Sequence, residues 1–507
     1  MNDEIGTVIS LFESPSPSNV SFIVNQGKLH KGQYVELEYS EGTMVCLVSE
    51  LFKTNHYFER AESVKEFESN GKSLSELFPV NDWEYLIART KPLGVFKDNE
   101  IKRPSFPPSP GTKVRIAENS ILKRFIGFEE NGLELGKIQF HDLSVKLNLS
   151  RLIQKHIAIL AISGAGKTVA STVLIEELLS RKKEQGRIGI ILFDVHSEYG
   201  HLSEPDADNE FANKTKLVKA SEIRIAVPQL YAANFQAFCP EMSAIQKREL
   251  DKILQKLRNE MRNGQGPFNL VSVIDELKND ENINENTKGS LLSWLTELES
   301  YNLFSNIGQP SINDLIEPGK LTVIDLGDLI NAKKKQMIVS HFCNALFKAR
   351  RELKVCPHLI VLEEAHQMCP ETASKENAIS KGIIQTIARE GRKFGSNLCL
   401  ISQRPVNLST TALSQCGTHL YLRITNPYDL DHIKKSSEAV DQASCDMLSS
   451  FKVGEALMVG NAVNSPVFFK VRQKRSKASK HEQTLEEKAL SFEQAKEKNF
   501  KEVKEFI

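Results

Sequence analysis

The sequence predicts an α/β fold, with a mainly parallel sheet between helices, a small β-barrel before it and a helical insertion within it. Three observations lead there. From His156 onward, apolar runs alternate with amphipathic ones, the order that builds a parallel sheet covered on both faces. The apolar run 157–162 leads directly into AISGAGKT, residues 161–168, and an amphipathic run 169–179 follows. Strand, glycine-rich turn and helix in that order make a phosphate-binding P-loop and a RecA-like P-loop NTPase core. Residues 1–96 carry short β-rich runs at close spacing instead (EIGTVIS, NVSFIVN, GQYVELEYS, TMVCLVSEL), separated by turn chemistry at Ser14–Pro17 and Glu41–Gly42. Such spacing suggests a small N-terminal β-barrel, either a partner-binding module or a cap and scaffold.

The chain of 507 residues is long enough for two to four domains. Its 65 basic and 65 acidic residues cancel, so bulk charge does not mark a nucleic-acid binder. It does not exclude one either, because a ring can segregate basic loops inside a channel. Eight cysteines without a CxxC pair, several inside apolar runs, argue against a disulfide framework or a zinc site and fit a reducing cytoplasm. The N-terminus lacks a signal pattern, and no apolar run approaches the ~20 residues that span a bilayer. A soluble cytoplasmic protein with no membrane association is expected.

After the barrel, Pro104, Pro107, Pro108 and Pro110 precede Gly111, and so many prolines predict a stiff linker over 97–111. An ATPase domain is expected over 112–472. It opens with the short strands KVRIA, LELGKIQF and LSVKLNL, and its central strands are expected at 157–161, 188–193, 223–227, 321–325, 358–363, 397–402 and 418–424. The insertion, 240–300, is helical and charged. Ile245, Leu250, Leu254 and Leu257 recur at helical spacing among many lysines and arginines, a pattern open to a nucleic-acid surface or a solvated face. Residues 473–507 form a charged tail. Lys470, Arg472, Lys474, Arg475, Lys477 and Lys480 cluster there, before Leu485, Ala489, Phe492, Phe500, Val503 and Ile507 at helical spacing. That tail either docks on a neighbouring subunit or frays.

The chemistry concentrates after the strands. In the P-loop, Gly164 and Gly166 let backbone N–H groups converge on phosphates at a helix N-terminus. Lys167 would reach the outer phosphates, and the Thr168 hydroxyl would ligate Mg²⁺. HLIVLEEAH, 358–366, puts Glu363 and Glu364 where a buried strand ends, the edge at which ligands bind in parallel sheets. Glu363 matches a residue that holds Mg²⁺ through water, and Glu364 the base that orients the attacking water. Asp194, His196 and Glu198 end another strand, DVHSEYG. They are open to metal ligation, positioning near the γ-phosphate, DNA contact or a structural Asx-turn. Gln403 closes SNLCLISQRP, where its amide could sense phosphate and water or simply end the strand. Arg389, Arg392 and Lys393 crowd the C-terminal turn of a helix expected over 375–393. There they either favour the helix dipole or act as an arginine finger in the next subunit, and Arg423 is a further finger candidate.

With the P-loop, DVHSEYG, LEEAH, AREGRKFG, SQRP, YLRITNPYDLD and VGEALMVG in that order, the chain resembles the HerA branch of the HerA/FtsK ATPases over nearly its whole length. The resemblance implies a homohexameric ring that hydrolyses ATP with Mg²⁺ between subunits and moves double-stranded DNA through its channel. It also implies a partner nuclease, NurA in archaea, in end resection and repair, or another effector in antiviral defence. By position, Gly164, Ala165, Gly166, Lys167, Thr168 and Val169 would bind phosphates, and Thr168 and Glu363 would serve the metal. Glu364 would serve water, Gln403 would sense, and Arg392, or else Arg389, would act in trans. Lys155 would touch a neighbour's nucleotide, and Arg472, in the last strand, would lie near the base or ribose. The chain departs from the family pattern at Ala161, where the P-loop usually opens with glycine, and at Glu363, where aspartate is frequent. Two rivals stand beside this reading: a membrane-anchored pump of the same superfamily, and a nucleotide-gated scaffold that assembles a nuclease with little translocation.

Overall fold

The computed structural model describes all residues except 1–3, 11–13, 26–27, 56–57, 59–61, 63, 66–68, 70–82, 99, 206–208, 374–377, 437–439, 441, 477–484 and 495–507. The chain divides into two compact units. One comprises 1–148, 439–448 and 455–472; the other comprises 149–438, 449–454 and 473–507. Strands are numbered in chain order.

In the first unit, β1 (Glu4–Val8), β2 (Val20–Val24), β3 (Tyr34–Tyr39), β4 (Gly42–Asn55), β5 (Glu84–Lys97) and β7 (Lys113–Ile116) pair antiparallel in the order β2-β1-β7-β3-β4-β5. A further pairing of β2 with β5 closes them into a six-stranded barrel. Closure leaves no open edge, and alternate residues such as Phe22, Val35, Met44, Val48 and Val114 fill the interior. Register shifts at Val45/Cys46 and Val48/Glu50 bend the long β4–β5 ribbon around that core. Gly6 is needed where β1 crosses β2, because a Cβ there would fall 2.2 Å from the Ile23 carbonyl oxygen.

The expected linker is shorter than the prolines suggested. β5 runs to Lys97, and β6 (Glu100–Lys102) folds back on it. The prolines then arch to β7, which sits between β1 and β3 and completes the barrel. The contact boundary accordingly falls after Asn148 instead of at 96 or 111. The unit also contains an antiparallel ladder in the order β19-β20-β8-β9, from Glu455–Gly460, Val467–Val471, Leu133–Ile138 and Ser144–Leu147.

The second unit is built on a parallel sheet in the order β12-β15-β11-β16-β17-β10-β18. Its strands are Thr215–Lys219, Leu321–Asp325, Gly189–Asp194, His358–Leu362, Ser396–Ser402, Ile157–Leu160 and Thr418–Tyr421. Every neighbour in it is parallel. The interior strands β11, β16, β17 and β10 are buried along their whole length, as a sheet covered on both faces requires. One expected strand is misplaced. Residues 223–227 contribute only β13 (Ile225–Ala226), a two-residue ladder with β14 (Phe304–Ser305) outside the main sheet. The edge position belongs to Thr215–Lys219, whose lysines, Lys216 and Lys219, hid it: an edge strand is covered less than its neighbours and tolerates charge.

The insertion is helical as expected, over Ala232–Phe238, Ala244–Arg262, Leu270–Asn279 and Glu285–Ser300. Ser243 starts the long helix with a reciprocal cap to Gln246, and Leu250, Ile253, Leu254 and Leu257 face inward. Several of its cations are already engaged. Lys252 pairs with Glu249 at 2.7 Å, Lys256 pairs with Glu276, and Arg258 lies over the Tyr231 ring at 4.6 Å. Among the described residues no helix is long and apolar enough to cross a membrane.

The start of the tail is fastened to the P-loop helix, Lys167–Ser180. Glu176, fully buried on that helix, accepts the Arg475 and Ser476 backbone N–H groups at 2.8 Å each and the Ser476 hydroxyl at 2.9 Å. Arg475 also lies over the Phe211 ring at 5.5 Å and pairs with Glu177 at 3.2 Å. Lys477, Lys480, Phe500, Val503 and Ile507 lie outside the described residues. Residues 485–494 are helical, with Leu485, Leu490 and Phe492 exposed. Hydrogen bonds to a charged acceptor contribute about 1.5–3 kcal/mol each. Glu176→Ala is therefore expected to lower the thermal midpoint clearly and Glu176→Gln, which keeps an acceptor, to lower it less. Differential scanning calorimetry of the three proteins checks that order.

Candidate active site

Four neighbouring strands deliver the site to one edge of the parallel sheet. β10 ends at Leu160 and opens into the P-loop; β11 ends in Asp194; β16 is followed by Glu363 and Glu364; β17 is followed by Gln403. The strands are parallel and adjacent, so their C-terminal ends bring these residues together although they are scattered over some half of the chain.

The P-loop has the shape its glycines predicted. Gly164 and Gly166 take left-handed φ values of 73° and 99°, and a Cβ on Gly164 would meet no atom within 4 Å, which leaves that side open to a ligand. Ala165 is buried, and its carbonyl accepts the Gly454 N–H at 3.2 Å, so the loop is held from behind. Ala161, the departure at its start, is fully buried, with its N–H on the Ser402 carbonyl at 3.2 Å. A small residue there is compatible with the loop. Thr168 and Val169 begin the helix, half-buried, and the Thr168 hydroxyl donates to Glu198.

Lys167 is buried and forms an ion pair with Glu364, with Glu363 Oε1 at 3.9 Å. Gln403 donates its amide to Glu364 Oε1 at 2.7 Å. His366 places Nδ1 3.0 Å from the Ser402 hydroxyl and 3.3 Å from Glu364 Oε2. Burial pushes that imidazole below its ordinary pKa, against the pull of Glu364, which favours a neutral ring. Glu364 itself adopts φ 46°, ψ 48°, a left-handed conformation that glutamate rarely takes and that turns its carboxylate toward Lys167. Such strain persists where the surroundings hold it, and it clusters at functional sites.

Glu363 faces the other way, as adjacent residues at a strand end should. Its Oε2 accepts the Val195 and His196 N–H groups at 2.8 and 3.2 Å. Burial first, and then the Asp194 charge, push its carboxyl up to about 9, while Lys167 opposes the rise. Asp194 is pushed up too, by burial before all else. Both shifts disfavour the ionised forms, and a cation bound there would offset them. Glu363 Oε1 and Glu364 Oε2 are both buried without a hydrogen-bond partner. Orphaned carboxylate oxygens beside a threonine hydroxyl and an open glycine cradle fit a hard divalent cation with a polyphosphate.

The DVHSEYG segment forms a structural turn, one of its expected readings. Asp194 accepts the N–H groups of His196, Glu198 and Tyr199 at 3.3, 3.1 and 2.8 Å. That turn also aims Glu198 at Thr168. Two partners were missed from sequence. Ser171 on the P-loop helix meets the Tyr199 hydroxyl at 2.7 Å, and Ser197 donates to Asp325, which ends β15, at 2.6 Å. Neither pair has a sequence signature. The sequence LEEAH likewise carries no signature of the His366 contacts.

Not every expected site residue joins this cluster. Arg389 and Arg392 are exposed near the C-terminal end of helix Lys381–Phe394. Lys155 is exposed just before β10, and Arg423 is half-buried after β18. None of the hydrogen bonds or ion pairs described for the cluster involves any of the four. Arg472 belongs to the first unit, where it donates from Nε to the Glu134 carbonyl at 3.1 Å.

A family model described as the central domain of helicase HerA matches residues 133–346. The DNA double-strand break repair helicase HerA of Sulfurisphaera tokodaii is 27% identical over 89% of this chain and 90% of its own. The enzyme of the same name from Saccharolobus solfataricus is 28% identical over 89% of each chain. Over nearly its whole length the chain is thus similar to HerA helicases. Among solved structures, VirB4 of Thermoanaerobacter pseudethanolicus superposes with a TM-score of 0.52 at 15% identity, over 70% of this chain and 98% of that one. That likeness concerns the P-loop ATPase fold alone.

Proposed function

We propose that this HerA-like protein is an ATP-driven double-stranded DNA translocase or helicase. In this reading it works as a homohexameric ring with a NurA-like or other effector nuclease, in DNA end resection and repair or in antiviral defence. The observation that supports it best is the convergence of Lys167, Glu364 and Gln403 beside an open P-loop, with Arg389 and Arg392 exposed and outside the cluster. Relatives across the chain's length carry the name of a DNA double-strand break repair helicase.

In the proposed mechanism the P-loop N–H groups from Gly164 to Val169 cradle the phosphates of ATP. Lys167 exchanges Glu364 for phosphate oxygens, which leaves Glu364 free to accept a proton. Thr168 and Glu363 would hold Mg²⁺, which when bound neutralises charge on the β- and γ-phosphates. Glu364 orients the attacking water and takes its proton at a carboxylate oxygen, and the Gln403 amide fixes that carboxylate and reads the γ-phosphate. The Glu198–Thr168 contact places the threonine hydroxyl. Arg392, or its neighbour Arg389, reaches a neighbouring subunit's phosphates, Lys155 touches a neighbour's nucleotide, and Arg472 acts near the base or ribose.

A site shared between subunits makes a specific prediction. Arg392→Ala and Lys167→Ala proteins should each lose ATP turnover, Arg392→Ala by about 10³-fold on the scale of known arginine fingers. Mixed together, they should regain a fraction of it, because some boundaries then pair an intact P-loop with an intact arginine. ATPase assays of mixed rings on duplex DNA read this out, and mixtures as inactive as their parents would count against the shared site. Single-molecule tracking on duplex DNA tests the motor itself: a protein that hydrolyses ATP and binds DNA but stays in place is a scaffold.

A further inference from the structure

His196 stands at the mouth of the cluster without a place in the mechanism above. One ligand atom each from His196, Glu363 and Glu364 lies within 4.8 Å of the other two. The two glutamates are buried, at 0% and 2% exposure, and each keeps one oxygen, Glu363 Oε1 and Glu364 Oε2, without a hydrogen-bond partner. The His196 side chain is exposed, yet its backbone is fixed. Its N–H donates to Glu363 Oε2 at 3.2 Å and to Asp194 Oδ1 at 3.3 Å, and Ser197 beside it is locked in the left-handed region at φ 58°. The imidazole is thus tethered to the same turn that positions the carboxylate.

This donor set is not the one a Mg²⁺–ATP site calls for. Mg²⁺ takes oxygen ligands and keeps its waters, so an imidazole adds little to it. First-row transition cations accept imidazole and carboxylate together, with affinity rising from Mn²⁺ through Co²⁺ and beyond. Bonds of about 2.1 Å put neighbouring donors about 3 Å apart and opposite ones about 4 Å apart, so the three groups need close by only about 1–2 Å. Lys167 is the resident rival. Its ammonium pairs with Glu364, lies 3.9 Å from Glu363 Oε1, and competes with a metal for these carboxylates. We propose that His196, Glu363 and Glu364 form a mixed nitrogen–oxygen site for a first-row transition divalent cation, in competition with Lys167 and separable from nucleotide binding. The inference rests on the ATPase reading only in that Lys167 leaves these carboxylates when phosphates draw it away.

Co²⁺ is the probe, because its visible absorption reports nitrogen ligation. The full-length protein, without nucleotide, should bind one Co²⁺ per chain that an equal concentration of Mg²⁺ does not displace. His196→Ala should weaken that binding at least ~10-fold, as loss of a ligand does, and Glu363→Gln should do the same. Lys167→Ala should tighten it several-fold while removing nucleotide binding, because the competing ammonium is gone. Co²⁺ binding that is absent, or untouched by both His196→Ala and Glu363→Gln, overturns the metal site. Loss of binding in Glu363→Gln alone overturns the role of His196. A wild-type protein that binds Co²⁺ but no ATP analogue would instead sink the ATPase reading and leave the metal site standing.

Discussion

Lys167→Ala is expected to abolish ATP turnover, by two separable effects. The first is catalytic. Lys167 is the buried cation that faces the open P-loop, and loss of one fixed group aimed at developing charge typically costs ~10²–10³ in rate. Weakened nucleotide binding compounds the loss. The second is structural. Lys167 pairs with Glu364 and stands near Glu363, and both acids are buried. Removal of the lysine leaves two carboxylates without their cation, a change that destabilises unless they protonate. The variant should therefore melt below the wild type, and a second change, Glu364→Gln, should restore part of the lost stability while leaving turnover absent. Calorimetry of the single and double variants, with ATPase assays, separates the two effects. A double variant no more stable than the single one would mean that the ion pair carries no structural weight.

Glu364→Gln alone is expected to separate binding from chemistry. The side chain keeps its shape and the unusual backbone of residue 364, so the cradle should still take ATP. What it loses is the ability to accept a proton from water, and general-base catalysis contributes ~10²–10⁴. Turnover should fall within that range. Affinity for a fluorescent ATP analogue should hold or improve, because Lys167 no longer has a charged rival for the phosphates. Near-normal turnover would remove Glu364 from its role and leave Glu363 and Glu198 as the carboxylates to test.

How legible this was in the sequence follows from what each feature depends on. The parallel core could be read because buried strands are unbroken apolar runs, and 157–161, 321–325, 358–363 and 397–402 met their observed positions to within a residue or so. Residues that end such runs inherit the ligand-binding edge, so the positions of Glu363, Glu364 and Gln403 could be anticipated. The edge strand Thr215–Lys219 could not, because edge strands look polar, and Ile225–Ala226 was mistaken for it. β7 was read as opening the next domain because prolines look like a boundary, and sequence does not show which strand closes a barrel. Contacts such as Lys167 with Glu364, His366 with Glu364 and Ser197 with Asp325 depend on which strands are neighbours. Strand order is a long-range property that local patterns do not encode.

The first unit is interrupted in sequence. β8, near residue 135, pairs with β20, near residue 469, and the parallel sheet lies between them along the chain. On a ribosome that adds 5–20 residues per second, the two halves of this ladder emerge on the order of tens of seconds apart. The closed barrel has all its strands by Ile116 and can form early, whereas β8 must wait with an unpaired edge until β20 has been made. The first unit thus starts before the parallel sheet and is finished only after it, so its completion reports that every strand of that sheet has been made.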